Sequence, residues 1–190
     1  MNKFFYTFAF SALLACGAPE DGPSDVTVPE LALINTGEIG PISEEATYNT
    51  RGCNSPNVGV TAAKCNGGYC DNIYLQCTMT PEGVTTTGDG YYARYISEED
   101  GLAGALCESQ GTGTGVDGIV DGMRIAGKYA DNIGVHCSQI ATGRLTNCGW
   151  SEEFSEEQGY VNFQGRFATG VRCKGKYCDV MSYYVCNLEP

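Results

Sequence analysis

The sequence predicts an all-β domain built from one unit used three times, and three observations carry that expectation. A segment recurs as Lys64-Cys-Asn-Gly-Gly-Tyr-Cys-Asp71, Arg124-Ile-Ala-Gly-Lys-Tyr-Ala-Asp131 and Arg172-Cys-Lys-Gly-Lys-Tyr-Cys-Asp179. Each copy closes six or seven residues later on a cysteine (Cys77, Cys137, Cys186), and each follows an acidic tag: Ile42-Ser-Glu-Glu45, Ile96-Ser-Glu-Glu99 or Phe154-Ser-Glu-Glu157. The runs Ile73-Tyr-Leu-Gln-Cys77 and Ile133-Gly-Val-His-Cys137 alternate with period two, as do parts of Tyr160 to Arg172, while long helical periodicity is absent. Repeats of this length are units that bury a core only by assembling together.

The chain begins with one basic residue, Lys3, and an apolar run from Phe4 to Ala15 that is too short to span a bilayer and reads as a secretory signal over residues 1–15. It ends in Leu13-Leu14-Ala15-Cys16, which resembles the lipobox of bacterial lipoproteins. That resemblance implies cleavage before Cys16, acyl chains such as palmitate on it, and membrane attachment through the N-terminal lipid. Gly17 follows the cysteine, which in lipoproteins of diderm bacteria implies the outer membrane of the envelope. Residues 16–38 hold three prolines, several acids and no aromatic residue, the composition of a tether, with a reach on the order of 25 Å.

Removing the leader removes Lys3, so the mature charge is 10 minus 23, or −13. Such a surface repels nucleic acid, and nucleic-acid partners are excluded on this ground. Residues 39–190 are expected to form a single domain, with repeats at about 39–79, 92–140 and 148–188.

Eleven cysteines less Cys16 leave ten, an even number suited to an oxidising compartment. Alignment on the shared aspartates sets Cys65 and Cys70 opposite Cys173 and Cys178, and opposite Ile125 and Ala130 in the second copy. Two cysteines missing together are most simply two ends of one bond, so Cys65 is paired with Cys70 and Cys173 with Cys178. Each small loop contributes roughly 2 kcal/mol by chain entropy. Proximity pairs the rest as Cys53 with Cys77, Cys107 with Cys137 and Cys148 with Cys186. A metal site is the competing reading of these spacings and is disfavoured, because the chain has a single histidine. No cofactor is expected.

In the third copy the interval from aspartate to cysteine grows by one residue through Met181-Ser-Tyr-Tyr-Val-Cys186, as a β-bulge there would require. The glycine-rich segment Gly111 to Gly118 is expected to be an irregular loop. The units run from strands such as Trp150-Ser-Glu-Glu-Phe154, through Phe167-Ala-Thr-Gly-Val-Arg172, to Asp-Asn-Ile-x-Leu-x-Cys. This arrangement resembles the vitelline membrane outer layer protein I family over residues 40 to 186. The resemblance implies a pseudo-threefold β-prism of three sheets. A β-trefoil also has three copies of this length and is the alternative, although the Gln-x-Trp signature of its lectin members is absent.

Tyr69, Tyr129 and Tyr177 each lie two residues before an aspartate (Asp71, Asp131, Asp179), and Asn72 and Asn132 follow in two copies. An aromatic face with carboxylate and amide groups is what a shallow carbohydrate site needs. The same repetition also suits a disulfide-braced turn whose carboxylate caps backbone N–H groups. Lys64, Arg124 and Arg172 match across the copies and are expected to pair with the Ser-Glu-Glu tags, whose glutamates are also the candidates for glycosidase-like acid and base. His136 is expected to be an exposed strand residue. Asp89, Asp117 and Asp121 are expected in turns, and Trp150 with Phe154 either as a second sugar platform or as core. No nucleophile-elbow, zincin or phosphate-loop motif is present.

These residues point to a non-enzymatic, membrane-anchored module of lectin type, with a glycan or cell-surface ligand. The alternatives are a hydrolase or transferase acting on glycans through Glu and Asp pairs, and a structural interaction lipoprotein of the envelope.

Overall fold

The computed structural model describes residues 35–43, 50–97, 104–108, 115–127 and 131–190. The signal segment, Cys16, most of the tether, Glu44, Glu45, Glu98, Glu99, Tyr129, Ala130 and the first part of the glycine-rich loop lie outside them. The described chain is all-β, and its first strand starts at Asn35, inside the stretch expected to be tether.

Three strands from each repeat make the body of one sheet. The first repeat supplies β1 (Asn35–Ile42), β3 (Val58–Asn66) and β4 (Asn72–Met79), with β4 paired antiparallel to both others. The second supplies β5 (Thr85–Tyr92), β8 (Gly118–Ala126) and β9 (Asn132–Thr142), with the short β6 (Ile96–Ser97) also on β9. The third supplies β10 (Arg144–Trp150), β12 (Phe167–Lys174) and β13 (Val180–Glu189). The stretch from Tyr160 to Arg172 is therefore two strands, β11 (Val161–Asn162) and β12, parted by a turn in which Arg166 N–H donates to the Phe163 carbonyl at 3.1 Å.

Each sheet is completed by a strand from another repeat. The first repeat lends β2 (Thr50–Gly52) to β8, the second lends β7 (Ala105–Leu106) to β12, and the third lends β11 to β3. The exchange is cyclic, so no sheet is complete without its neighbour's chain. A bulge in each middle strand receives the guest. Register slips between Val60 and Ala62, between Val120 and Gly122, and between Ala168 and Gly170, leaving Thr61, Asp121 and Thr169 unopposed. The carbonyl each bulge turns outward accepts the N–H of the residue just after the guest strand. These bonds are Phe163 to Thr61 at 2.9 Å, Cys53 to Asp121 at 2.7 Å and Cys107 to Thr169 at 2.8 Å.

The cysteines join as Cys53–Cys77, Cys65–Cys70, Cys107–Cys137, Cys148–Cys186 and Cys173–Cys178. Cys53–Cys77 and Cys107–Cys137 are counterparts, each tying a departing guest strand back to the last strand of its own repeat. In the third repeat Phe163 stands where those guests carry cysteine, and its ring lies 5.2 Å from that of Tyr183. Cys148–Cys186 instead crosses from β10 to β13. The register explains the extra residue before Cys186, because Ala168 faces Val185 where Val60 faces Cys77. The cysteine has moved one place along β13, and the slip that accommodates it lies in β10 between Thr146 and Gly149. The bulge expected within β13 is thus found on its partner.

The buried faces meet in one core that includes Val60, Leu75, Met123, Val135, Val171 and Tyr183. The tags enter it through their first residues: Ile42, Ile96 and Phe154 are buried and face Ile73, Ile133 and Met181 in turn. A smaller cluster of Val84, Ile119, Phe167 and Leu188 sits apart. Tyr183 is fully buried and stacked on Phe154 at 6.0 Å, with Met123 Sδ 4.0 Å from its hydroxyl.

Burial pushes the Tyr183 phenol well above its ordinary range. Tyr91, whose hydroxyl donates to the Glu108 carbonyl at 2.5 Å, is pushed up to about 12, first by burial and then by the charges of Asp117 and Glu108. Both favour the neutral phenol in the folded state. The contribution of each is complete below the ordinary value of 10.0; that of Tyr91 is lost as pH rises through about 12, and that of Tyr183 at higher pH still. The urea midpoint is therefore expected to fall between those pH values, and less steeply in Tyr183→Phe. That variant keeps the ring and loses only a weak contact to sulfur, so at neutral pH it should lie within about 1 kcal/mol of the parent. Tyr183→Ala should cost about 3 to 5 kcal/mol.

Candidate functional site

The repeated turns gather together. Tyr69 and Tyr177 lie edge to face with ring centroids 5.3 Å apart, and Lys176 Nζ is 4.9 Å from the Tyr177 ring centroid. Cys70 Sγ sits 3.3 Å from the Asp179 carbonyl and Cys178 Sγ 3.9 Å from that of Asp131, so the turns touch one another through their sulfurs. Asn72 Nδ2 donates to Asp71 Oδ1 at 2.6 Å, which commits one amide to its own neighbour. Tyr129, the third tyrosine of the set, lies outside the described residues.

These turns are shaped by backbone constraint. Tyr69, Cys70, Tyr177 and Cys178 have φ of 60°, 54°, 58° and 56°, two consecutive left-handed residues in each turn. That conformation costs roughly 1 to 2 kcal/mol per residue, and a disulfide closes each loop around it. A Cβ at Gly67 or Gly175 would stand 1.9 Å from the carboxylate of Asp71 or Asp179, so glycine is required for the aspartate to tuck beneath the turn. The geometry is that of a brace, with Tyr69 still 38% exposed on its outer side.

Of the expected pairings of Lys64, Arg124 and Arg172 with the acidic tags, those to Glu44, Glu45, Glu98 and Glu99 fall outside the described residues; among the described residues all three cations lie against aromatic rings. Lys64 pairs with Glu38 at 3.2 Å, and its ammonium lies 4.5 and 4.6 Å from the ring centroids of Tyr74 and Tyr160. Arg124 stacks at 4.3 Å on Tyr92 and 4.0 Å on Tyr95, and Arg172 at 4.2 Å on Trp150 while donating to Ser182 Oγ at 2.8 Å. Each cation thus covers an aromatic surface on its sheet's outer face, an interaction of about 0.5 to 2 kcal/mol. Trp150 is this platform's partner in the third repeat, and Phe154 belongs to the core.

A cleft of about 600 Å³ opens on the sheet of the second repeat. One wall is the guest segment Thr50 to Pro56, and the floor carries Tyr92, Asp121, His136 and Ser138. His136 Nδ1 and Asp121 Oδ1 are 2.5 Å apart, and Ser138 Oγ donates to Asp121 Oδ2 at 2.5 Å. The His136 ring meets Tyr92 edge-on at 4.7 Å and lies against Gly90, where a Cβ would stand 2.0 Å from its Cε1. The side chains of His136 and Asp121 keep 27% and 17% of their surface exposed.

His136 is therefore held in a built seat on the cleft floor, and Asp121 is in a strand bulge instead of a turn. The sequence did contain a signal. On the observed register, Asp121 corresponds to Thr61 and Thr169, and His136 to Gln76 and Tyr184. The second copy alone places a carboxylate and an imidazole at these two neighbouring positions. Among the described residues no cluster of three or more His, Cys, Asp or Glu side chains could hold a metal ion.

The brace reading of the turns makes a testable contrast. Gly175→Ala should lower stability by roughly 1 to 3 kcal/mol in urea unfolding, because a Cβ collides with Asp179 and strains a positive-φ residue. Tyr69→Ala, which removes one edge-to-face contact of a partly exposed ring, should cost only about 0.5 to 1.5 kcal/mol.

No protein-family model, curated protein or solved structure matches the chain, so the reading of the cleft rests on its own geometry.

Proposed function

We propose that the chain is a membrane-anchored binding module of lectin type, and that its ligand, a glycan of a cell surface or envelope, occupies the cleft on the second sheet. The observation that carries this reading is the lining. Thr50, Arg51, Asn54 and Ser55 offer hydroxyl, guanidinium and amide groups opposite the Tyr92 ring, in a concavity of about 600 Å³. Such a mixture binds sugar hydroxyls at their edges and C–H faces on an aromatic surface. Tyr92 is 37% exposed, with Arg124 stacked on its ring at 4.3 Å to hold it in place. The braced turns at Tyr69 and Tyr177 engage their two rings edge to face with one another, which is why the cleft is preferred to them.

Two further expectations belong to the same reading. The cyclic exchange of β2, β7 and β11 is what a three-repeat β-prism requires, and it favours that fold over a trefoil. A lipid on Cys16 would hold the domain at the bacterial outer membrane, where a glycan ligand is at hand. Glycosidase chemistry in the cleft has less support, because it needs two carboxyl groups about 5 to 9.5 Å apart and, among the described residues, Asp121 is the only carboxylate in the lining.

The test is a glycan array with the exported chain, followed by calorimetry on the best ligand. Tyr92→Ala and Asn54→Ala should each weaken binding by roughly 0.5 to 2 kcal/mol, with the melting temperature changed little for Asn54→Ala. Equal affinity in both variants would remove the ligand from the cleft, and an array without any bound glycan would sink the lectin reading.

A further inference from the structure

The bulge in each middle strand has a backbone task that does not depend on its side chain. Thr61, Asp121 and Thr169 all present the carbonyl that docks a guest strand. In the first repeat the side chain forms a neutral contact, with Thr61 Oγ1 and Thr78 Oγ1 2.6 Å apart. In the third, Thr169 Oγ1 donates to the Tyr184 carbonyl at 3.1 Å. The counterparts of His136 beside these bulges are Gln76 and Tyr184, opposite Ala62 and Gly170. Two of three repeats thus build this part of the fold without charge. The second repeat puts Asp121 and His136 there and opens a cleft above them.

The pair has the geometry of an oriented general base. Asp121 is held from its other oxygen by Ser138, and its Oδ1 accepts the His136 Nδ1–H at 2.5 Å. This bond selects the tautomer whose lone pair is on Nε2, and it stabilises the imidazolium that forms when Nε2 takes a proton. Gly90 and Tyr92 fix the ring plane. Ser138 is bonded to the carboxylate and so is not placed as a nucleophile activated by the imidazole, which leaves water in that role.

We propose that the cleft is also a hydrolytic centre for neutral acyl esters, with His136 as the catalytic general base and Asp121 as its positioning residue. His136 Nε2 removes a proton from water as the water oxygen bonds to the acyl carbon. The tetrahedral intermediate then collapses with cleavage of the bond between that carbon and the alcohol oxygen. The departing alkoxide takes the proton from Nε2, so the products are a carboxylic acid and an alcohol, and the imidazole is regenerated neutral. No metal, oxidant or second substrate enters the balance. An ester is favoured over a glycosidic bond because, among the described residues, the cleft lining has one carboxylate, both of whose oxygens are engaged. It is favoured over a phosphodiester because a chain of net charge −12 repels polyanions. The carrier of the ester rests on the lectin reading: an O-acylated sugar of a surface glycan. The ester chemistry itself does not depend on it.

The experiment uses the exported chain and 4-nitrophenyl acetate, a probe that needs no sugar, with release of 4-nitrophenolate followed by absorbance. Wild-type turnover is expected to exceed that of an equimolar amount of free imidazole at the same pH by at least about tenfold. His136→Gln and Asp121→Thr are the variants of choice, since each installs the side chain that the first repeat already carries at that position and the fold accommodates there. His136→Gln should lower kcat by roughly 10²- to 10⁴-fold. Asp121→Thr should lower kcat by about tenfold or more while leaving KM within about twofold, a split that loss of a merely structural contact would not produce. Wild-type turnover no faster than free imidazole, or equal turnover in both variants, would overturn the proposal. Ester hydrolysis with an empty glycan array would uphold the centre and discard the glycan as its carrier. Glycan binding without ester hydrolysis would do the reverse.

Discussion

Three backbone hydrogen bonds organise this molecule: Phe163 to Thr61, Cys53 to Asp121 and Cys107 to Thr169. Each is made by a strand that has left its own repeat and ends against a bulge in the next. A middle strand without its guest would present an open edge, with unpaired N–H and C=O groups that invite aggregation. The exchange satisfies those groups from within the chain and commits every repeat to its neighbour. The Cys53–Cys77 and Cys107–Cys137 bonds then fasten two of the three departures at their root. In the third repeat, packing of Phe163 on Tyr183 takes the place of that covalent tie.

The core follows from this arrangement. Once the guests are seated, the inner faces of the sheets close on one another, and the leading residue of each acidic tag, Ile42, Ile96 or Phe154, plugs the same place in its sheet. Outside, one arrangement, a cation over aromatic rings, repeats at Lys64, Arg124 and Arg172. These interactions cover apolar ring surface with a side chain whose charge stays in water, so a strongly acidic protein keeps its few cations at structural positions. The turns are a separate solution to a local problem. Two left-handed residues in succession are unfavourable, and glycine before them, with disulfide closure around them, makes the turn tenable.

Against that repetition, the departures carry the chemistry. The second repeat lacks the small disulfide, and it also substitutes Asp121 and His136 where its sisters use neutral side chains. The guest strand beside them continues into Cys53, Asn54, Ser55 and Pro56, which form a wall over the floor that the pair occupies. A repeat protein can hold the fold with the features common to all copies and leave one copy free to specialise. Here the bulge carbonyl serves the fold and the bulge side chain serves the cleft, two tasks on one residue.

The sequence by itself determined the all-β class, the three-part repetition and the likeness between the two small cysteine loops, because alternation and spacing are local properties of a chain. It also marked Tyr69, Asp71, Tyr177 and Asp179 as one repeated turn, and the structure brings two of those tyrosines into contact. The tertiary structure decided what faces what. Asp121 and His136 are on different strands, and the bulge that leaves Asp121 unopposed beside Gly122, the partner of His136, brings the two side chains within hydrogen-bonding reach. The same register places Cys186 one position beyond the site of Cys77, with its compensating slip in β10, where the sequence suggested an insertion within β13. Lys64, Arg124 and Arg172 likewise find aromatic rings because strand pairing brings Tyr160, Tyr95 and Trp150 beside them. Period-two alternation reports which face a side chain takes, but it carries no information about which strand lies alongside or at what register. Cross-strand neighbours, and therefore the cleft, exist only once the exchanged strands are in place.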